Sequence, residues 1–148
     1  MADGIVDLIE TSATKVSGIQ VSNLFSWNSI TLRCKVPRSS DRSTYETVFV
    51  EYVHVDGDSI CVKRGDFVQK GQLLCRSGDF GFCPEPHLHF QCNRSNEPTA
   101  QSAEIHVLSP DGKEFSFKAG TYYDSRGESR PSLRSMPKRR GAEEKACC

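Results

Sequence analysis

No apolar run in this 148-residue chain approaches the ~20 residues that a membrane-spanning helix needs. The opening Met1-Ala2-Asp3-Gly4 is acidic and turn-like. It lacks the basic and apolar stretches of a secretion signal, so the chain as written is expected to be cytoplasmic. An alanine- and leucine-rich stretch of helical period is also missing, which argues against a helical bundle. The cysteines form no C-x-x-C pair and no regular disulfide ladder; with seven of them, an odd count, reduced thiols are expected. A concentrated basic face is absent too. Residues 1–123 hold 12 Lys and Arg against 15 Asp and Glu, a net charge of −3, so nucleic acid is not expected as a partner.

What the chain does have is short runs of Val, Ile and Phe broken by glycine, the composition of an all-β fold built on antiparallel strands. Residues 4–9 read as a first strand. Residues 29–36 alternate apolar and polar, with Ile30, Leu32, Cys34 and Val36 on one face. Residues 47–55 follow suit, with Val48, Val50, Tyr52 and His54 on one face and Phe49, Val53 and Val55 on the other. The polar loop 37–44 between them predicts an antiparallel hairpin. Gly65 and Gly71 each predict a tight turn beside a short strand, residues 76–81 a further glycine corner, and residues 88–92 another strand. Residues 103–108 and 114–117 predict a last hairpin across Ser109-Pro110-Asp111-Gly112. Beyond residue 123 apolar periodicity stops and basic residues dominate, so one domain is expected over 1–123 and a disordered basic tail over 124–148.

His87 and His89 stand two apart on a predicted strand, so both imidazoles project from one face, and Leu88 and Phe90 are expected to pack on the other. Such a pair either shares a metal site or lies on a solvated face. His106 reads as a surface or packing histidine, and Asp56, Asp58 and Asp66 as turn residues.

The wider pattern is more specific. Tyr52-Val53-His54-Val55, then Val62-x-x-Gly65-Asp66-x-Val68-x-x-Gly71-Gln72, then Ser77-Gly78 and Pro86-His87-Leu88-His89-Phe90 resemble the lysostaphin/LytM-type zinc metallopeptidases in order and spacing. Ala2-Asp3-Gly4-x-Val6 and Asn28-x-Ile30 resemble that family's early strands, so the likeness extends over residues 2–123. The resemblance implies the barrel-sandwich hybrid called the duplicated hybrid motif, and a zinc ion held by an upstream H-x-x-x-D pair and the second His of H-x-H. His89 matches that metal ligand. His54 and His87 match the catalytic residues that position the attacking water and stabilise the transition state. It also implies hydrolysis of cell-wall cross-bridges or stem peptides, with the metal lowering the water pKa toward ~7.

One part of the pattern is not matched. The H-x-x-x-D pair should precede the Asp3-Gly4 strand, whereas the sequence begins at Met1 and its histidines are His54, His87, His89 and His106. His54 and Asp58 have the right spacing, but His54 already fills the Tyr-x-His position. Cys83 and Cys92 flank the H-x-H pair, yet strand alternation sets Cys92 on the face opposite His87 and His89, which disfavours a Cys83/His87/His89/Cys92 site. With one family ligand present, zinc is expected to bind weakly and below one ion per chain. The expectation is therefore a degenerate, inactive family member that keeps the fold as a binding module. The alternative is an active enzyme whose metal-binding segment is missing from this chain. A biotinyl- or lipoyl-type carrier shares the Val-x-x-Gly-Asp turn, but no Met-Lys-Met-like tip exists and the histidines would go unexplained. Cys147-Cys148, after a basic stretch, resembles doubly lipidated termini and would be the means of any membrane contact.

Overall fold

Alternating β-branched residues build the centre of the molecule. In the computed structural model, which describes residues 3–11, 19–24, 26–38, 43–83, 87–108, 112–117, 122–123 and 129–130, the predicted hairpin is present. Strands β2 (Ser29–Pro37) and β3 (Tyr45–Val53) pair antiparallel along their full lengths, Ser29 opposite Val53 and Pro37 opposite Tyr45. Strand β1 (Gly4–Glu10) flanks β2, with an irregularity between Val6 and Leu8. Strand β4 (Phe67–Val68) lies beyond β1, and β5 (His89–Asn93) lies beyond β3. The result is a five-stranded, wholly antiparallel sheet in the order β4-β1-β2-β3-β5. Among the described residues there is no α-helix, only 3-10 turns at Val21–Asn23 and Gly57–Ser59, and the all-β expectation is borne out.

Register turns alternation into a core. Val6, Leu32, Val50 and Cys92 form one row across four strands, and Gly4, Cys34 and Val48 the next. Val6, Ile30, Leu32, Val48 and Val68 are buried, each worth roughly 1.5–3 kcal/mol relative to exposure. Arg33, on the other face of β2, is exposed and meets Asp7 of β1 at 3.4 Å.

The turn before β4 is tied to β1 by Gly65 N–H to the Val6 carbonyl (2.8 Å) and Val6 N–H to the Asp66 carbonyl (2.9 Å). Gly65 and Gly71 take φ of +92° and +86°, as their predicted corners require. The Asp66 carboxylate accepts from Lys63 N–H at 2.8 Å, a turn role. At the far side of the sheet, residues 101–103 fold back along β5. Arg94 N–H donates to the Gln101 carbonyl, Ala103 N–H to the Cys92 carbonyl, and Asn93 bridges Ser102.

Three local expectations need correction. The strand read over 47–55 stops at Val53, because His54 turns into the left-handed region and breaks the ladder. Strand β5 starts at His89 rather than Leu88. Phe90 is 38% exposed rather than packed, since β5 borders the sheet.

Contacts divide the described residues into two units, one up to Ala103 and one from Glu104. The second contains the predicted late hairpin as β6 (His106–Leu108) and β7 (Glu114–Ser116), and a short pair β8 (Tyr122–Tyr123) and β9 (Ser129–Arg130). The expected tail over 124–148 lies outside the described residues apart from Ser129–Arg130, and so do Pro86 and the terminal Cys147 and Cys148. No helix among the described residues is long and apolar enough to cross a membrane.

Candidate metal and catalytic centre

Strand β3 delivers His54 by ending just before it. Val53 pairs with His89, and the next residue takes φ +64°, a conformation that costs a β-carbon-bearing residue on the order of 1–3 kcal/mol. Two backbone contacts fix the departure. The His54 carbonyl accepts from Gly78 N–H at 2.7 Å, and Val55 bridges Ser77.

The ring of His54 is buried, and its Nδ1 lies 2.6 Å from the Phe80 carbonyl oxygen. A carbonyl oxygen can only accept, so Nδ1 carries the proton and Nε2 keeps the lone pair. Burial pushes the His54 pKa below its ordinary 6.5; the Phe80 hydrogen bond opposes that, and the neighbouring His87 and His89 reinforce it. The ring is therefore a neutral imidazole with a defined tautomer, ready to act as a ligand or proton acceptor at Nε2.

His87 and His89 converge on it. Ring centroids lie 4.9 Å from His54 to His87 and 6.1 Å from His54 to His89. His87 is half-buried, whereas His89 is exposed at the start of β5. The three histidines singled out in the sequence are thus brought together.

A fourth group joins them from the glycine corner. Cys83 is buried, and its Sγ lies 3.4 Å from His87 Nδ1. One donor atom from each of His54, Cys83 and His87 lies within 4.8 Å of the others. Two glycines make this approach possible. A β-carbon at Gly78 would sit 3.0 Å from the His54 carbonyl oxygen. One at Gly81, whose φ is +93°, would meet the Ser26 carbonyl oxygen at 2.5 Å. The chain from Ser77 to Cys83 can therefore press against the segment that follows β3 and the segment before β2 only with glycine at these points.

Cys83 is the residue that sequence reasoning undervalued. The sequence pattern groups it with Cys92 around the H-x-H pair; the structure separates the two. Cys92 is buried in the row of Val50 on β5, outside the cluster, and burial raises its thiol pKa. The usable signal was the Cys83-to-His87 spacing directly after two glycines. The rejected pairing of His54 with Asp58 stays rejected: Asp58 lies in the 3-10 turn capped by Asp56 and is not part of the cluster. His106 is an exposed residue of the second unit, 3.0 Å from Glu114 and 3.7 Å from Glu104.

The border of this all-β sheet thus gathers three imidazoles and a thiol. Residues 41–101 match the model of Peptidase family M23, so the LytM-type resemblance is borne out over that stretch. The chain is also similar to the peptidoglycan DD-endopeptidase ShyB of Vibrio cholerae serotype O1, 36% identical over 66 residues. That match covers 44% of this chain and 14% of the Vibrio protein.

Proposed function

We propose that this chain is a peptidoglycan-hydrolase-like domain of the M23 type that, in its 148 residues, binds cell-wall-type peptides at the histidine border without cleaving them. The observation that carries the reading is the composition of the donor set. The groups drawn together are His54, Cys83 and His87, and among the described residues no carboxylate joins them. The family's zinc centre combines imidazoles with an aspartate, and the residues described here do not fit that set.

What remains is a surface suited to a peptide. His89 is exposed beside the half-buried His87, and His54 presents a neutral Nε2 behind them. In this reading His87 and His89 offer hydrogen bonds to peptide carbonyl and amide groups, and His54 adds a buried polar group next to them. The match to a named peptidoglycan endopeptidase supports a peptide of bacterial cell-wall chemistry as the ligand.

The test is incubation of the purified chain, with zinc chloride added, with peptidoglycan sacculi and with glycine-rich peptides. Binding without release of new amino termini is expected. Release of amino termini that disappears with a chelator would overturn the non-cleaving reading. It would favour the alternative, for which the convergence of His54, His87 and His89 speaks: an active endopeptidase completed by a histidine and an aspartate from outside these residues.

A further inference from the structure

We infer that His54, Cys83 and His87 form a thiolate-containing site for a zinc ion, distinct from the His-Asp-His set of the family. The inference concerns metal binding alone and stands whether or not the domain cleaves or binds peptides.

Three independent features converge. The donors are two imidazoles and a thiol, the ligand types that zinc combines in tetrahedral sites. All three come from the deepest part of the border: His54 and Cys83 are buried and His87 is half-buried. His54 is also arranged as ligating histidines usually are, its second ring nitrogen donating to a backbone carbonyl, here Phe80 at 2.6 Å. That bond orients the ring and directs Nε2 as the available donor.

The geometry is close to what an ion would require. Bonds of about 2.0–2.1 Å to nitrogen and 2.3 Å to sulfur put tetrahedral ligand atoms roughly 3.3–3.6 Å apart. Cys83 Sγ and His87 Nδ1 already lie at 3.4 Å, and the widest separation among the three donor atoms is no more than 4.8 Å. Drawing the three donors to tetrahedral spacing therefore takes a movement of about an ångström or less. Binding converts the Cys83 thiol to thiolate and releases its proton to solvent, so affinity should rise with pH. Three protein donors leave the fourth tetrahedral position to water.

This changes the expectation from sequence. His89 alone predicted weak zinc below one ion per chain; a buried thiol with two imidazoles predicts one ion per chain, held without His89 as an obligatory ligand.

The experiment uses the reduced 148-residue chain carrying C147S and C148S, so that these two thiols cannot contribute. Zinc chloride is titrated in and the stoichiometry is read by metal analysis after desalting. The X-ray absorption fine structure at the zinc edge then reports the ligands. One zinc per chain with a single sulfur at about 2.3 Å is expected. C83S should weaken binding by more than the roughly 100-fold that outer-shell changes typically cost. H89A should keep one zinc per chain, and so should C61S, which removes an exposed thiol outside the cluster. A shell of nitrogen and oxygen only, or retention in C83S with loss in H89A, would overturn the inference. Because the absorption measurement is made on a chain with the site intact, it decides the question even where a substitution impairs folding. Cobalt chloride gives a second readout: a thiolate-to-cobalt charge-transfer band that C83S abolishes.

Discussion

The paired strands β2 and β3 and the border that follows them are built on opposite rules. Along the pair, every residue from Ser29 to Pro37 has its partner in register, and from Leu32 to Lys35 buried and exposed residues alternate one by one. At the residue after Val53 regularity ends. His54 is left-handed, Gly81 is left-handed, and the chain between Ser77 and Cys83 is held by close backbone approaches instead of a ladder. The regular part supplies stability, and the irregular part spends some of it to gather reactive side chains. Strain confined to a border beside an over-determined sheet is how a small domain can hold donors close together without losing its fold.

That contrast can be broken from either side. The largest effect should come from the ladder. Ile30 is fully buried between β1 and β3, so Ile30→Ala should cost about 2–5 kcal/mol in denaturant unfolding, with m unchanged. A smaller loss should come from the border. Gly81→Ala adds a β-carbon 2.5 Å from the Ser26 carbonyl oxygen at a φ of +93°, and should cost on the order of 1–3 kcal/mol. The sharper sign is where the damage appears: zinc affinity should fall while amides of β2 and β3 stay protected from hydrogen exchange. Equal loss of protection throughout the sheet would show that ladder and border are one unit.

A third effect is read with pH. Burial holds the folded-state pKa of His54 below 6.5, so the unfolded chain binds a proton that the folded chain refuses. Its contribution is therefore constant above 6.5 and becomes a loss of stability as pH falls below that value. Unfolding midpoints one unit either side of 6.5 measure this, and His54→Asn, which tolerates the left-handed backbone, should flatten the difference. The smallest change belongs to the outer face. Arg33→Ala removes a half-exposed ion pair with Asp7 and should shift stability by about 0.5 kcal/mol or less.

The same division explains what the sequence could convey. Strands β2 and β3 were legible because period-two alternation marks one face of a strand, and Ile30, Leu32 and Cys34 on that face of β2 are all buried. The meeting of His54, His87 and His89 was legible through the spacing of a recognisable motif. The end of β3 at Val53 was not, because Val55 continues the apolar pattern while the backbone has already turned at His54. Cys83 was not legible for a related reason. Its nearness to His54 depends on how closely the chain passes at Gly78 and Gly81, a contact between segments that alternation does not encode. Glycine marks where such a passage is possible and leaves open what it will touch.

The short strap of residues 101–103 has a consequence of its own. An uncovered outer strand is a template on which further chains can add, the first step toward insoluble aggregates. By hydrogen bonding to Cys92 and Arg94, the strap occupies the outer half of β5 with the protein's own backbone. A neighbouring molecule finds no ladder to extend there. The border that carries the histidines can thus stay open to a ligand beside a stretch of sheet that is already closed to self-association.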